Sequence, residues 1–264
     1  MIKRYIRIHP DFKGSLFIGI IMILFYGTLS AQRGPDQNYK VLLITKNLTF
    51  HHTSVSNGVE MFKDLSKEGW FDLTWTEIVR HHFDDIERLK IFDVVVFMNT
   101  SGNILNENQK KVFQQYIRNG GNFVGIHGAT YTFMDDWPWY AELVGAWHNQ
   151  ASGNNTAVIN VEIPNHPSTV HLPQKWIITD EWYNFRQISD KIKVLLTVDE
   201  DTYQDNRMGD YHPIAWYQDN FEGARSFYTV LGHPDEVYAN PMFRQHVLGG
   251  LWWAATGYNL GGKP

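Results

Sequence analysis

The chain has 264 residues, of which 43% are hydrophobic and 19% charged, a composition typical of a globular protein with a sizeable core. Its formal net charge of −5, without a basic stripe, argues against nucleic acid as a partner. The absence of cysteine excludes disulfides, a thiol nucleophile and thiolate zinc ligands.

The N-terminal segment has the pattern of a secretory signal. Basic residues precede an uncharged run from Ser15 to Ala31, and Ser30–Ala31 offers a cleavage point. We predict a signal peptide over residues 1–31, a polar linker over 32–38 and one domain over 39–260. This interpretation implies export to the periplasm or cell envelope, with no stable membrane span after cleavage. The alternative is an uncleaved anchor, although the run is shorter than the roughly 20 apolar residues that a span prefers.

Strands and helices alternate through the first half of the chain. Apolar runs and helical spacing of apolar residues predict strands at 39–45, 71–78, 93–98 and from 123, and helices at 55–67 and 106–118. The second half is less regular, with predicted strands at 157–163, 193–198, 212–217 and 226–231 and a closing helix at 243–256. We therefore predict a single α/β domain with a mostly parallel sheet and helices on both faces.

The segment Gly125–Thr130 brings a histidine to a tight bend after a strand. Gly125 and Gly128 permit a backbone turn where a Cβ would clash, as at the elbows where α/β enzymes display a nucleophile. His127 occupies that position, so the chemistry expected there is that of a general base, a general acid or a metal ligand. We expect its side chain to point into the cleft. The structural alternative is a hydrogen-bonded histidine at a strand end.

Other titratable residues follow predicted strands. Ligands of parallel sheets bind at the carboxyl ends of strands, so the loop carrying His52, the loop after Met98 and the His127 elbow are predicted to share one edge. His233 follows a further strand and a glycine bend, although a turn histidine facing water fits the same pattern.

Asp180-Glu181-Trp182-Tyr183 places two acids in an apolar setting. Burial would raise a carboxyl pKa towards a value useful for a general acid. Alternatively, one acid caps a turn and the other faces water. Trp137-Pro138-Trp139-Tyr140 is predicted either to wall a pocket or to be an aromatic helix start packed on the sheet.

Together these motifs resemble the ThuA-like (trehalose utilisation) family. The resemblance runs from Val41 to about Gly257 and rests on Phe50–Ser54, Gly125–Thr130, Trp137–Tyr140 with Leu143–Gly145, Asp180–Tyr183 and Phe227–His233. It implies a flavodoxin-like α/β sandwich of the class I glutamine amidotransferase-like fold. It also implies a role in the catabolism of trehalose and other disaccharides. Because His127 stands where the nucleophilic cysteine would be, amidotransferase activity is not implied.

The first functional hypothesis is an exported hydrolase, lyase or isomerase acting on a disaccharide or keto-sugar. His127 would be general base or acid with Glu181 as its partner, and Tyr183 would donate a hydrogen bond to a sugar oxygen or oxyanion. The remaining residues predicted to line the site are His52 and His233 in catalytic roles, and Ser54, Asp180, Trp137 and Trp139 in substrate binding.

Two alternatives stay open at this point. The protein could be a non-catalytic sugar-binding protein of the envelope, with aromatic platforms and histidines lining the same pocket. The enzyme hypothesis also has a metal-dependent form, in which His52, His127 and His233, with Glu181, bind Zn²⁺ or Mn²⁺. The expected partner is a small carbohydrate in each case, and the sequence leaves homo-oligomerisation open.

Overall fold

The computed structural model describes residues 38–68, 70–134, 136–204 and 208–258. These residues fall in one compact unit that begins at Asn38. The predicted signal peptide, residues 1–31, and the predicted linker except for Asn38 lie outside the described residues, so both stay predictions. Among the described residues, no helix is long and apolar enough to cross a membrane.

The described part of the chain contains nine strands in a single sheet and six α-helices. The strands are β1 (Tyr39–Ile44), β2 (Phe71–Thr76), β3 (Val94–Met98), β4 (Asn122–Ile126), β5 (Ala146–Val161), β6 (Lys175–Ile188), β7 (Lys193–Asp199), β8 (His212–Phe221) and β9 (Ala224–Thr229). The helices are α1 (Val55–Lys67), α2 (Arg80–Phe83), α3 (Ile86–Leu89), α4 (Glu107–Arg118), α5 (Pro138–Val144) and α6 (Pro241–Thr256).

The sheet is mixed, which corrects the prediction of a mostly parallel sheet. Its strand order is β2-β1-β3-β4-β9-β8-β7-β5-β6. The pairings from β2 through β9 are parallel, whereas those from β9 through β6 are antiparallel. The alternation of strands and helices in the first half produces the parallel part. In the second half, strands follow one another without intervening α-helices and therefore pair antiparallel.

Strand β6 was not predicted from the sequence. It pairs with β5 in a long hairpin that contains register shifts between Trp147 and Asn154. Alternate residues of β6, among them Trp176, Ile178 and Trp182, are buried. That alternation is the sequence signal of a strand, but Asp180 stands at one of the buried positions and interrupts its apolar pattern.

Helices cover both faces of the parallel part, as predicted. Phe97 of β3 stacks on Phe113 of α4, whereas its neighbour Met98 lies against Gly58 of α1. Consecutive strand residues point to opposite faces, so α4 and α1 lie on opposite sides of the sheet. Helix α4 begins with a reciprocal capping box between Asn106 and Gln109, which supplies partners for two otherwise free backbone N–H groups.

The carboxyl ends of four neighbouring parallel strands meet at one edge of the sheet. Strand β1 leads into the loop with His52, β3 into Asn99, β4 into His127 and β9 into the loop with His233. The prediction that the first three loops share an edge is confirmed by the strand order and register. This edge gathers the residues of the site.

Candidate functional site

His127 stands at a sharp bend directly after β4. Its φ of 48° is in the left-handed region that L-residues rarely adopt, and a short 3-10 helix, His127–Tyr131, begins there. A Cβ on Gly128 would meet the backbone of Asn99 at 3.0 Å, so glycine lets the bend pass close to β3. The predicted elbow is therefore present, with a histidine in a strained backbone conformation.

Hydrogen bonds fix the orientation and tautomer of the His127 ring. Its Nδ1 lies 2.6 Å from the carbonyl oxygen of Val230, which can only accept. The proton of the neutral ring is therefore on Nδ1, and Nε2 carries a lone pair. The Tyr183 hydroxyl, 2.9 Å from Nε2, donates to that lone pair.

Three further side chains converge on His127. The Glu181 carboxylate lies 3.4 Å from His127 Nε2 and 3.0 Å from His233 Nδ1. The two histidine nitrogens are themselves 3.2 Å apart. The His52 ring completes the group, with its centroid 4.7 Å from that of His127 and 5.1 Å from that of His233. We call His52, His127, Glu181 and His233 the histidine–glutamate cluster.

The cluster is layered from the core to the surface. The His127 side chain is 0% exposed, whereas Glu181 is 16% and His233 24% exposed. The expectation that His127 points into an open cleft is therefore wrong. It is covered by its neighbours, and a ligand arriving from solvent meets Glu181 and His233 first.

Electrostatics within the cluster favour a charged Glu181. Burial alone would raise the pKa of Glu181, but the interactions with the imidazoles of His127 and His233 outweigh it and hold that pKa below its usual range. This is opposite to the raised carboxyl pKa expected for a general acid. The hydrogen bond to Glu181 raises the pKa of His233, while burial, together with His127 and His233, lowers the pKa of His52 to about 3.

Asp180 is a buried acid that binds the backbone next to the cluster. Its carboxylate is 0% exposed and accepts backbone N–H bonds from Gly232 (2.8 Å), His233 (3.0 Å) and Glu181 (2.8 Å). All three bonds go to the chain itself, and its role in substrate binding stays a prediction. Burial raises the pKa of Asp180 even against those donors. Asp180 positions His233 by tying its loop to β6.

Ser54 is likewise a positioning residue. It is fully buried, and its hydroxyl donates to the Gly232 carbonyl at 3.2 Å; substrate contact by Ser54 stays a prediction. Asn99, which sequence reasoning missed, joins the same loops. It has a φ of 52°, and its amide lies 3.1 Å from Ser54 Oγ, 3.3 Å from the Gly232 carbonyl and 3.2 Å from Tyr238 Oη. The sequence signal for Asn99 was its place directly after a buried strand.

Two further histidines support Tyr183. His212 lies 2.9 Å from the Tyr183 carbonyl through Nε2 and 2.8 Å from Glu200 through Nδ1. The His148 ring meets the Tyr183 ring edge-on at 4.4 Å, and burial lowers the pKa of His148 to about 4. Burial keeps the pKa of Tyr183 well above its usual range, so its hydroxyl stays protonated and is engaged by His127.

The two predicted tryptophan platforms belong to an aromatic cluster of the core. Trp137 stacks on Trp139 at 5.1 Å, and both rings pack edge-on against Phe113 of α4. The Trp139 indole N–H donates to Glu222. The alternative interpretation, an aromatic helix start packed on the sheet, describes these contacts, and the role of the two tryptophans in substrate binding stays a prediction.

The sequence profile of the trehalose utilisation family, ThuA, matches residues 40–254. The chain belongs to the ThuA family. No curated protein matches the chain. The match spans every strand and helix core that positions the histidine–glutamate cluster, and it confirms the resemblance seen in the motifs.

Solved structures share this family's fold. A protein from Bacteroides uniformis described as ThuA-like is 23% identical, with a TM-score of 0.70, and the alignment covers 89% of this chain and 98% of that one. A ThuA-like protein from Parabacteroides merdae is 24% identical, with a TM-score of 0.67, covering 86% and 94%. PurLQS from Thermotoga maritima is 12% identical, with a TM-score of 0.54, covering 82% and 99%. At these identities the likeness extends to the fold alone.

Proposed function

We propose that this protein is an enzyme that acts on a disaccharide or keto-sugar at the histidine–glutamate cluster. The observation that carries the proposal is the pair of side chains on the solvent side of the cluster. Glu181 and His233 are both partly exposed, 3.0 Å apart, and held against fully buried partners. A carboxylate beside an imidazole suits proton transfer when buried neighbours hold both groups and both are partly exposed to solvent. The family's link to trehalose utilisation supports a sugar as the substrate.

We assign the roles differently from the sequence-based hypothesis. Glu181, whose carboxylate faces solvent, is the proposed base, and His233 the proposed acid. Next to a keto group, Glu181 would take the proton of the neighbouring C–H, and the C–H electron pair would move into an enolate. His233 would protonate the enolate oxygen as it forms. It would take that proton back when the electrons return to expel the glycosidic oxygen on the next carbon, which leaves with the proton held by Glu181; return of that proton to carbon instead gives the deuterium exchange. His127 is a positioning residue in this proposal, since it is buried and its Nδ1 is committed to Val230.

The test is turnover by the purified full chain. Trehalose and 3-keto-disaccharides would be incubated in D₂O, with cleavage followed by mass spectrometry and deuterium uptake beside the keto group by NMR. Glu181→Gln should lower turnover by about 10²-fold or more, the usual contribution of a general base. Glu60→Gln, an exposed acid on α1, is the matched control and should keep wild-type turnover.

Two outcomes would refute the proposal. The first is equal turnover by folded Glu181→Gln and wild type, which would remove the cluster from the chemistry. The second is calorimetric binding of the sugars without cleavage or deuterium uptake, with or without added divalent metal. That result would identify a sugar-binding protein instead.

A further inference from the structure

We propose that His52, His127, Glu181 and His233 bind one first-row divalent metal ion, with Zn²⁺ and Mn²⁺ as the fitting choices. This inference deepens the proposed function, on whose site it rests: Glu181 Oε2 and His233 Nδ1 would hold the ion, which leaves Glu181 Oε1 and His233 Nε2 for the proton transfers. One ligand atom from each residue lies within 4.8 Å of the others. Imidazole and carboxylate together suit these ions, and no thiolate is required.

The spacing of three of the atoms matches a coordination sphere. Glu181 Oε2, His233 Nδ1 and His127 Nε2 form a triangle with edges of 3.0, 3.2 and 3.4 Å. With metal–ligand bonds of about 2.1 Å, neighbouring ligands lie about 3.4 Å apart in a tetrahedron and about 3.0 Å apart in an octahedron. The triangle therefore already has the size of one face of a metal coordination polyhedron.

Hydrogen bonds alone leave this arrangement crowded. His127 Nε2 has one lone pair, yet Tyr183 Oη, His233 Nδ1 and Glu181 Oε2 all lie within 3.4 Å of it. A single proton or lone pair serves only one of these neighbours. A cation at the centre of the triangle would be attracted by the lone pairs of all three ligand atoms at once.

His52 gives the second, independent observation. Its side chain is 3% exposed, and among the described residues its Nδ1 has no hydrogen-bond partner. A buried polar atom without a partner is costly and rare, and it calls for a ligand, an ion or a water. The His52 ring meets His127 and His233 edge-on, and one of its nitrogens lies within 4.8 Å of the ligand atoms of the other three residues.

The outer contacts are those that a metal site requires. The Val230 carbonyl holds His127 in the tautomer whose Nε2 lone pair faces Glu181 and His233. Asp180 fixes the backbone of both Glu181 and His233. Such partners orient ligands and typically contribute 10–100-fold to metal affinity. Glu181 and His233 are partly exposed, so solvent reaches the side of the cluster on which a water or a sugar oxygen would bind the ion.

The test uses the full chain, produced without a histidine tag and stripped with a chelator. Titration calorimetry with ZnCl₂, and separately with MnCl₂, should show one ion per chain for at least one metal, checked by elemental analysis. Glu181→Gln and His233→Ala should each weaken binding at least tenfold, the lower end of what outer partners alone contribute. His81→Ala changes an exposed histidine on α2 and should bind like wild type.

A spectroscopic measurement separates ligation from general loss of structure. Protein loaded with Co²⁺ should show a visible absorption spectrum that Glu181→Gln alters while circular dichroism stays unchanged. The inference is overturned if folded wild-type protein binds neither ion stoichiometrically, or if both ligand variants bind as tightly as wild type. If stripped protein turns over sugar without binding metal, only this inference fails. If it binds one ion and turns over no sugar, only the proposed function fails.

Discussion

Removing the Asp180 carboxylate should destabilise the fold and disorganise the site together. This side chain joins mid-β6 to the loop after β9 through bonds to the backbone N–H groups of Gly232 and His233, and it also accepts from Glu181. Asp180→Ala would remove the acceptor of three backbone donors, of which the Gly232 N–H is buried and the other two are part-buried. Hydrogen bonds to charged groups contribute about 1.5–3 kcal/mol each. Burial of the carboxyl group, which raises the pKa of Asp180, offsets part of that sum.

We therefore expect Asp180→Ala to lower the free energy of unfolding by about 2–4 kcal/mol. Asp180→Asn has the same shape, and its amide oxygen can still accept from Glu181 and His233. Its NH₂ group would then face the Gly232 N–H, so we expect a smaller loss of about 1–2 kcal/mol.

The assay is urea unfolding at equilibrium, with the midpoint and the slope fitted separately. Asp72→Asn, on the exposed side of β2, is the control and should change stability by less than about 0.5 kcal/mol. The expected order of stability is wild type and control, then Asp180→Asn, then Asp180→Ala. An Asp180→Ala protein as stable as wild type would refute the reasoning.

Three further predictions concern parts of the molecule outside the cluster. Burial lowers the pKa of His166 to about 4 and that of His246 to about 3. As the pH falls, the unfolded chain therefore takes up protons before the folded protein does. The free energy of unfolding should be full above about pH 6.5 and fall towards pH 4, by about 3 kcal/mol from His166 alone. Equal urea midpoints at both ends of that range would contradict this. Gly249→Ala would bring a Cβ to 2.2 Å from the Pro167 carbonyl oxygen and should lower the free energy of unfolding by about 1–3 kcal/mol. Gly58→Ala should lower it less, because the nearest neighbour of its Cβ is the flexible Met98 side chain. The reverse order of melting temperatures would be evidence against this packing. Trp139→Phe should lower the melting temperature but leave sugar turnover unchanged, because Trp139 packs on Phe113 and Phe221. A selective loss of turnover would instead support its predicted role in binding.

Periodicity was enough to predict the parallel half of the fold. The apolar run of β3 and the spacing of Val59, Phe62 and Leu65 on α1 are signals that neighbouring sequence does not obscure. Strand β6 escaped because Asp180 breaks its alternation, and that acid is tolerated only because distant backbone donors reach it. A long-range partner of this kind cannot be read from local sequence.

The site was predictable where topology alone decides it. His52, His127 and His233 follow parallel strands, so the carboxyl-edge rule brings their loops together. Which way each side chain points depends on register and on the strained turns. For this reason Ser54 and Asp180 were expected to face a ligand but bind the chain, and Asn99 was missed. The burial of His127 follows from the β5–β6 hairpin, whose Glu181 and Tyr183 cover it.

The most direct test of the central claim is a crystal structure of the Glu181→Gln variant soaked with a 3-keto-disaccharide. The proposal predicts the carbon beside the keto group next to the amide that replaces the Glu181 carboxylate, with the keto oxygen within about 3.2 Å of a His233 nitrogen or of a bound ion. A sugar bound instead in the separate cavity of about 600 Å³ lined by Lys46, Arg80 and Asn106 would contradict it.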